Sequence, residues 1–191
     1  MADGIRAFVA IRLAPEIEDA IARFQNKLRK LDGGISWTRP AAFHLTLRFL
    51  GNRVPPEIIE EMCRGLRSIA DATAPFTVHA RGAGAFPSLN RPRVIWIGLS
   101  NGALAHLAAE VEALSVRSGF TPERRRFTPH LTIGRVRNPR RDPDLRQALE
   151  KAADLDFGNC SIRFMTLYRS HLSPHGATYE ALATLRFRAA R

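Results

Sequence analysis

This sequence of 191 residues has few cysteines and no long apolar run. Its two cysteines, Cys63 and Cys160, are far apart and fit neither a C-x-x-C redox pair nor the spacing of a metal knuckle, so we expect both to be reduced and buried. No segment approaches the ~20 apolar residues of a membrane span, and the first residues lack the basic-then-apolar layout of a secretory signal. These absences argue against a disulfide scaffold and a membrane protein, and they predict a cytoplasmic location.

Acidic residues are also scarce relative to basic ones. The 29 Lys and Arg stand against 18 Asp and Glu, which gives a formal net charge of +11 at pH 7. Such an excess commonly accompanies a polyanionic partner, and its sign favours nucleic acid. A GC-rich genome and a solvated surface would produce the same composition, and the sequence leaves both explanations open. Several arginines, whose planar guanidinium matches phosphate geometry, surround the second histidine motif described below: Arg124, Arg125, Arg126, Arg135, Arg137, Arg140 and Arg141.

Hydrophobic periodicity predicts strands that alternate with amphipathic helices. Period-two alternation predicts a first strand over residues 5–13, and apolar residues at helical spacing follow from Pro15 to about Gly33. The Gly- and Pro-rich residues 82–87 are typical of a loop, and residues 173–176 are typical of a turn. Further strands are predicted at about 43–50, 76–81, 93–99, 127–136, 160–172 and 178–188, and further helices after Pro55-Pro56, near 101–118 and around 143–153.

One short motif occurs twice, as His44-Leu45-Thr46-Leu47 and as His130-Leu131-Thr132-Ile133. Each copy follows a predicted strand and helix, and the copies lie a little under half the chain apart. This internal repeat predicts two related lobes that face one another, each of which supplies one copy. No linker divides the chain, so we expect the lobes to form a single domain over residues 1–191.

Side-chain alternation predicts where each motif points, because successive strand residues face opposite sides of a sheet. Histidine and threonine are two residues apart, so each copy presents an imidazole beside a hydroxyl. Arg135 falls on the core side of this alternation, so it must lie beyond the regular part of its strand if it contacts a ligand. The predicted core side carries Phe43, Leu45, Leu47 and Phe49 in the first copy and Phe127, Pro129, Leu131 and Ile133 in the second; the other side carries His44, Thr46 and Arg48, and Arg126, Thr128, His130 and Thr132.

Two imidazoles on either side of one phosphate suit the cleavage of a cyclic phosphodiester. The reaction needs a base that takes a proton from water and an acid that protonates the departing ribose oxygen. Histidine, with an ordinary pKa of about 6.5, does either near neutral pH. Threonine hydroxyls donate hydrogen bonds to the non-bridging oxygens and stabilise the charge that develops there. The scheme requires no metal and no cofactor.

Other interpretations of the paired motifs stay open at the sequence level. Each His-x-Thr can be a plain polar strand face, although the second copy makes this weaker. The chain can be a non-catalytic basic RNA-binding protein, or the histidines can be zinc ligands, which is less favoured because neither motif contains Asp, Glu or Cys. His171 precedes the predicted turn and is expected to be part of a hairpin. The remaining histidines lack a companion pattern and are expected to be surface or structural residues: His79, His106 and His175.

Two longer segments carry the motifs: Phe43-His-Leu-Thr-Leu-Arg-Phe-Leu-Gly51 and Phe127-Thr-Pro-His-Leu-Thr-Ile-Gly-Arg135. They resemble the two signature motifs of the two-histidine phosphoesterase superfamily, specifically its RNA 2′,3′-cyclic phosphodiesterase branch, also known as 2′-5′ RNA ligase. Residues 6–11, 86–98 and 167–179 are similar to that branch as well, so the resemblance covers nearly the whole chain.

The resemblance implies a bilobal α+β fold in which two pseudo-symmetric antiparallel β-sheets line a central cleft and helices pack outside. It implies that His44, Thr46, His130 and Thr132 are catalytic, with the first histidine as proton donor, the second as proton acceptor and a 2′-phosphate as product. Arg135 matches the position after the second motif and is a candidate phosphate or ribose contact. An arginine that caps a strand end is the alternative.

Further substrate contacts are expected from Arg126, Phe86 and Trp96. The two aromatic faces accept any nucleobase, although a core position is the commoner use of either ring. The expected substrates are RNA with a 2′,3′-cyclic phosphate end or small cyclic nucleotides, bound by a monomer that contacts no membrane. Hydrolysis and the reverse 2′-5′ ligation use the same chemistry, and the sequence does not separate them.

Overall fold

The computed structural model describes residues 4–31, 34–100, 102–137, 142–173 and 176–188. Within these residues the chain has the predicted α+β fold, in which an antiparallel sheet curls into an open half-barrel and helices pack against it. The strands are β1 Ile5–Ile11, β2 Ile35–Trp37, β3 Leu45–Val54, β4 Phe76–Phe86, β5 Val94–Ser100, β6 His130–Val136, β7 Asp156–Ile162, β8 Phe164–Ser173 and β9 Gly176–Arg186. The helices are α1 Pro15–Leu28, α2 Pro56–Ala72, α3 Gly102–Arg117 and α4 Pro143–Lys151, and a short 3₁₀ helix covers Pro40–Ala42.

The described strands form one sheet in the order β7-β4-β5-β6-β3-β1-β8-β9, with β2 paired to β6. The two predicted lobes correspond to the two four-strand halves of this order. They are not separate sheets, however, because Leu45 of β3 pairs with Leu131 of β6 and makes the sheet continuous. The junction therefore lies inside the two histidine motifs.

The internal repeat appears as two strand-helix-strand units, one from β1, α1 and β3 and one from β5, α3 and β6. The helix of each unit packs against the other half of the sheet, since α1 contacts β7 and α3 contacts β3. Gln25 of α1 strengthens this crossing: its buried side-chain Nε2 donates to the carbonyl oxygens of Thr38, at 2.7 Å, and Ile133, at 2.8 Å. A buried amide whose two donors are both satisfied fixes α1 against β6.

The helices follow the predicted apolar spacing. Pro15 and Pro56 occupy the first helical positions of α1 and α2, where a missing N–H costs nothing. Helix α1 ends at Leu28, earlier than predicted, and Gly33 lies outside the described residues. The α3 residues that were predicted to face the protein core are all buried: Leu104, Leu107, Ala108, Val111 and Leu114.

Several strand predictions were wrong in extent: the strand predicted over 43–50 extends to Val54, and the strand predicted over 127–136 begins only at His130. Residues 82–86 continue β4 instead of forming a loop, because a register shift between Ala80 and Ala83 absorbs Gly82, whose φ is +75°. The stretch predicted as one strand over 160–172 is divided at Arg163 into β7 and β8, which pair with different halves of the sheet. Strand β2 was not predicted. The turn residues Pro174 and His175 lie outside the described residues, as do Arg140 and Arg141.

Cys160 is buried as predicted, whereas Cys63 is only half-buried, and both thiols are free. No helix within the described part of the chain is long and apolar enough to cross a membrane.

Candidate active site

The two histidine motifs lie next to each other in the sheet. Leu45 is the cross-strand partner of Leu131 in an antiparallel pair. Extending that register by one residue in each direction places Thr46 opposite His130 and His44 opposite Thr132. All four side chains then point to the face opposite to the fully buried leucines. The tertiary structure thus brings together the four residues singled out in the sequence.

Both imidazoles are oriented by the same local hydrogen bond. Nδ1 of His44 lies 2.8 Å from the carbonyl oxygen of Ala42, and Nδ1 of His130 lies 2.7 Å from the carbonyl oxygen of Thr128. A carbonyl oxygen only accepts, so each Nδ1 carries a hydrogen and the neutral ring presents its lone pair at Nε2. Each Nε2 is therefore available either to accept a proton or, when the ring is charged, to donate one.

Aromatic rings pack against both imidazoles. The centroid of His44 lies 4.9 Å from that of Phe8 and 5.1 Å from that of Tyr179, which it meets edge-on. His130 meets Phe86 edge-on at 5.1 Å. These contacts help to hold each imidazole in the orientation that its backbone hydrogen bond sets.

His44 lies in a partly buried and electropositive environment. Burial lowers the pKa of His44 below its ordinary 6.5, the hydrogen bond to Ala42 opposes the shift, and the charges of Arg12, Arg135 and His130 lower it further. The imidazole of His44 is consequently neutral at pH 7 in the free protein.

A β-bulge lies at the last residue of each motif. On β3, Thr46 pairs with Ala10 but Arg48 pairs with Val9, so Leu47 is the extra residue. On β6, Thr132 pairs with Trp96 but Gly134 pairs with Ile95, so Ile133 is the extra residue. One inserted residue reverses the alternation of every side chain that follows it.

The bulges change three predictions. Arg135 lies on the same face as Thr132 and His130, although strict alternation along the strand had placed it on the core side. Phe49, predicted to enter the core, instead lies on the motif face and is 41% exposed. Arg48, predicted to share the side of His44 and Thr46, turns toward α3, where it is 8% exposed and forms an ion pair with Glu112 at 3.0 Å.

A cavity of about 690 Å³ lies between β3, β6, α3 and the segment before β6. It is lined by residues from both motifs and by the predicted contacts Arg126, Arg135 and Phe86. His44 borders a second cavity, of about 270 Å³, whose lining includes Arg12, Arg39, Tyr168 and Tyr179. Neither the tyrosines nor the two arginines were predicted from the sequence, although the segment 167–179 was part of the resemblance.

Trp96 lies behind Phe86, with ring centroids 5.2 Å apart, and its indole covers Gly84. A Cβ atom at Gly84 would lie 2.4 Å from Cζ2 of Trp96, so the absence of a side chain there is what admits the ring. Trp96 does not line the 690 Å³ cavity.

Three of the histidines outside the motifs lie beside a carboxylate, and His175 lies outside the described residues. Nε2 of His79 is 2.9 Å from Asp156, and Nε2 of His171 is 2.8 Å from Glu180 across the β8–β9 hairpin. Nε2 of His106 is 3.7 Å from Glu110 one turn along α3. Among the described residues no group of three His, Cys, Asp or Glu side chains is arranged to hold a metal ion.

Comparison with known proteins agrees with the internal repeat. The family model described as LigT-like phosphoesterase matches the chain twice, over residues 11–96 and 97–179. Each match contains one histidine motif. The two matches together account for most of the sequence.

Individual relatives cover nearly the full length of the chain. An RNA 2′,3′-cyclic phosphodiesterase from Methanocaldococcus jannaschii is 34% identical over 178 residues, which are 93% of this chain and 98% of the relative. The crystal structure of the protein TT0787 from Thermus thermophilus matches with a TM-score of 0.82 and 29% identity, covering 97% of this chain and 100% of that one. The structure of E. coli LigT complexed with 3′-AMP matches with a TM-score of 0.76 and 25% identity, over 96% and 98% of the two chains.

These similarities confirm the resemblance seen in the two motif segments, and they confirm the prediction that the chain is an enzyme of the phosphodiesterase class. The alternative of a purely RNA-binding protein is not favoured by any of them. With one family model matched in both halves and relatives above 30% identity along nearly their whole length, this chain belongs to the LigT-like phosphoesterase family.

Proposed function

We propose that this protein hydrolyses the 2′,3′-cyclic phosphate at the end of an RNA to a 2′-phosphomonoester. The observation that carries the proposal is the adjacency of the two motifs, which sets each imidazole opposite the threonine of the other copy. Relatives bearing the name RNA 2′,3′-cyclic phosphodiesterase support the substrate class. The net charge of +11 suits a polyanion.

His44 and His130 act as the acid–base pair. A water oxygen attacks phosphorus and gives its proton to the neutral Nε2 of one ring, while the P–O3′ bond breaks and O3′ takes a proton from Nε2 of the other, charged ring. Atoms and charges balance, and the two rings exchange protonation states in one turnover. Thr46 and Thr132 donate hydrogen bonds to the non-bridging oxygens.

The family resemblance makes His44 the donor and His130 the acceptor. This assignment requires the substrate to charge His44, because burial and the nearby guanidinium groups of Arg12 and Arg135 lower its pKa in the free protein. A bound phosphate supplies that effect, since a nearby negative charge stabilises the imidazolium form.

Arg135, Arg126, Phe86 and Trp96 are the proposed substrate contacts, and of these Arg135, Arg126 and Phe86 line the cavity. Small 2′,3′-cyclic nucleotides are proposed as further substrates. If a 5′-hydroxyl replaces water, the same geometry runs the reverse 2′-5′ ligation. We further propose that residues 1–191 act as one two-lobed domain, as a monomer, in the cytoplasm, without a metal or another cofactor.

The proposal is tested with an oligonucleotide that ends in a 2′,3′-cyclic phosphate, incubated with the protein in the presence of EDTA. We expect a product that carries its phosphate on the 2′ oxygen. His44→Ala and His130→Ala should each abolish turnover, whereas the surface variant His106→Ala should keep it. Loss of activity with EDTA and its recovery with zinc would favour the metal hypothesis, and full activity of both motif variants would remove the acid–base pair.

A further inference from the structure

We propose that Phe49 and Arg6 form a nucleobase-binding platform on the wall of the cleft opposite Arg135. The inference rests on the proposed function, because it assigns a place for the base of the nucleotide whose phosphate the histidines cleave. Neither residue belongs to the His-x-Thr copies.

The position of Phe49 is the first observation. The bulge at Leu47 turns this side chain out of the core and onto the face that carries Thr46, since both Thr46 and Phe49 pair with even-numbered residues of β1. Phe49 lines the same cavity of about 690 Å³ as His130, Thr132 and Arg135. With 41% of its surface exposed, the phenyl ring is open to a ligand in that cavity.

The second observation is that the guanidinium group of Arg6 packs against the ring of Phe49. The guanidinium carbon lies 4.4 Å from the centroid of the Phe49 ring, and a hydrogen bond to Oδ1 of Asn52 fixes the guanidinium there. An aromatic ring paired with a guanidinium plane is a chemistry that binds nucleobases by stacking, with little dependence on sequence. The pair is assembled before any ligand arrives, so binding does not have to order it.

The pseudo-symmetry of the site gives the third observation. Phe49 and Arg135 occupy equivalent positions, five residues after the histidine and two after the bulge. The two walls thus carry the same histidine and threonine toward the phosphate, but one carries Phe49 where the other carries Arg135. An arginine on one wall suits an anion and a phenyl ring on the other suits a base, so the pair gives a bound nucleotide a direction across the cleft.

Phe8 connects the platform to the site, because it is the cross-strand partner of Phe49 and its ring centroid lies 4.9 Å from that of His44. Burial raises the pKa of Tyr179, and the charges of both Arg135 and Arg6 oppose that shift. The ring of Tyr179 in turn meets His44 edge-on at 5.1 Å. Phe8 and Tyr179 both contact the ring of His44, so the strand pair that carries Phe49 lies beside the reacting centre.

The test compares 2′,3′-cyclic AMP with 2′,3′-cyclic UMP, because a purine offers the larger stacking surface. Phe49→Leu keeps an apolar side chain and removes the aromatic face. We expect it to raise KM for the cyclic adenylate about ten-fold, with a smaller effect on the cyclic uridylate and little change in kcat. Phe49→Trp should restore the purine preference, and Arg6→Met should weaken it in the same direction as Phe49→Leu.

Phe164 provides a matched control, since this phenylalanine is 45% exposed at the start of β8 and does not line the cavity. Phe164→Leu should leave both substrates unaffected. Equal losses on both substrates, carried by kcat, would show that Phe49 is only structural. An unchanged KM in Phe49→Leu would also overturn the platform.

A binding measurement separates this inference from the proposed function. The affinities of 2′-AMP and inorganic phosphate are measured by calorimetry on the folded wild-type protein and on Phe49→Leu. The platform predicts a loss of affinity for 2′-AMP alone, whether or not the wild type turns over a cyclic phosphate. Equal affinity of both proteins for 2′-AMP would overturn the platform even if the enzyme is fully active.

Discussion

Leu45 and Leu131 are direct cross-strand partners, and their pairing joins the two halves of the sheet. Both side chains are fully buried, at 0% exposure. The histidine that precedes each leucine and the threonine that follows it are therefore placed by one contact in the core. Stability and site geometry depend on the same pair of residues.

Shortening either leucine should destabilise the protein and impair the site together. We expect Leu45→Ala or Leu131→Ala to lower the free energy of unfolding by about 2–5 kcal/mol, because each leaves a cavity at the junction of the halves. Urea unfolding measures the loss. Leu31→Ala, at a position that is 42% exposed, is the control and should change stability little. Stability losses as small as that of the control would show that the junction is loosely packed.

The threonines should matter to the chemical step and not to folding. Replacing Thr46 or Thr132 by Val keeps the shape and removes the hydroxyl donor. We expect kcat to fall about 10²-fold for each variant, the size of effect typical for one lost transition-state donor. Single-turnover cleavage of a cyclic nucleotide measures the rate. Thr77→Val, on the exposed side of β4 and outside both cavities, should keep the wild-type kcat.

The protonation of His44 should respond to its neighbouring charges. In the free protein we expect NMR titration of the imidazole to give a pKa below 6.5, chiefly because burial disfavours the charged ring. Arg135→Met removes a positive charge, so the pKa of His44 should rise. Adding inorganic phosphate should also raise it, because the anion stabilises the imidazolium.

The control for this titration is Arg163→Met, since Arg163 separates β7 from β8 and lines neither cavity. A downward shift on phosphate binding would contradict the donor role of His44. That result would exchange the roles of the two rings, with His44 accepting the proton from water.

Removing the partner of Arg48 should destabilise the protein more than removing Arg48 itself. Its buried guanidinium pairs with Glu112 at 3.0 Å and donates to the carbonyl oxygen of Thr121 at 2.6 Å, which ties the segment before β6 to β3 and α3. Glu112→Ala leaves this buried charge poorly compensated and should cost roughly 3 kcal/mol of stability. Arg48→Met should cost less, because the more exposed Glu112 and Glu123 can be rehydrated. Thermal or urea unfolding of the two variants tests the order, and the reverse order would contradict it.

The sequence predicted those features that depend on local pattern. The amphipathic stripe of α3, the strand character of both motifs and the separation of His44 from the structural histidines all follow from spacing along the chain. The repeat predicted two related halves, and the family model matches each half. These features needed no knowledge of which strand lies beside which.

The sequence did not predict the register in which neighbouring strands pair. The bulges at Leu47 and Ile133 depend on the partner strands β1 and β5, so alternation alone misplaced Arg48 and Phe49 and left Arg135 on the wrong face. The continuation of β4 past Gly82 likewise depends on its partners.

By itself, then, the sequence singled out the residues that we propose carry the chemistry, because the His-x-Thr pattern and its repetition are local properties. Only the tertiary structure decided that the two copies meet, that Arg135 and Phe49 face the cleft, and that the pKa of His44 is lowered. Each of these depends on contacts between residues far apart in the chain. Burial and strand pairing create those contacts, and hydrophobic periodicity does not record them.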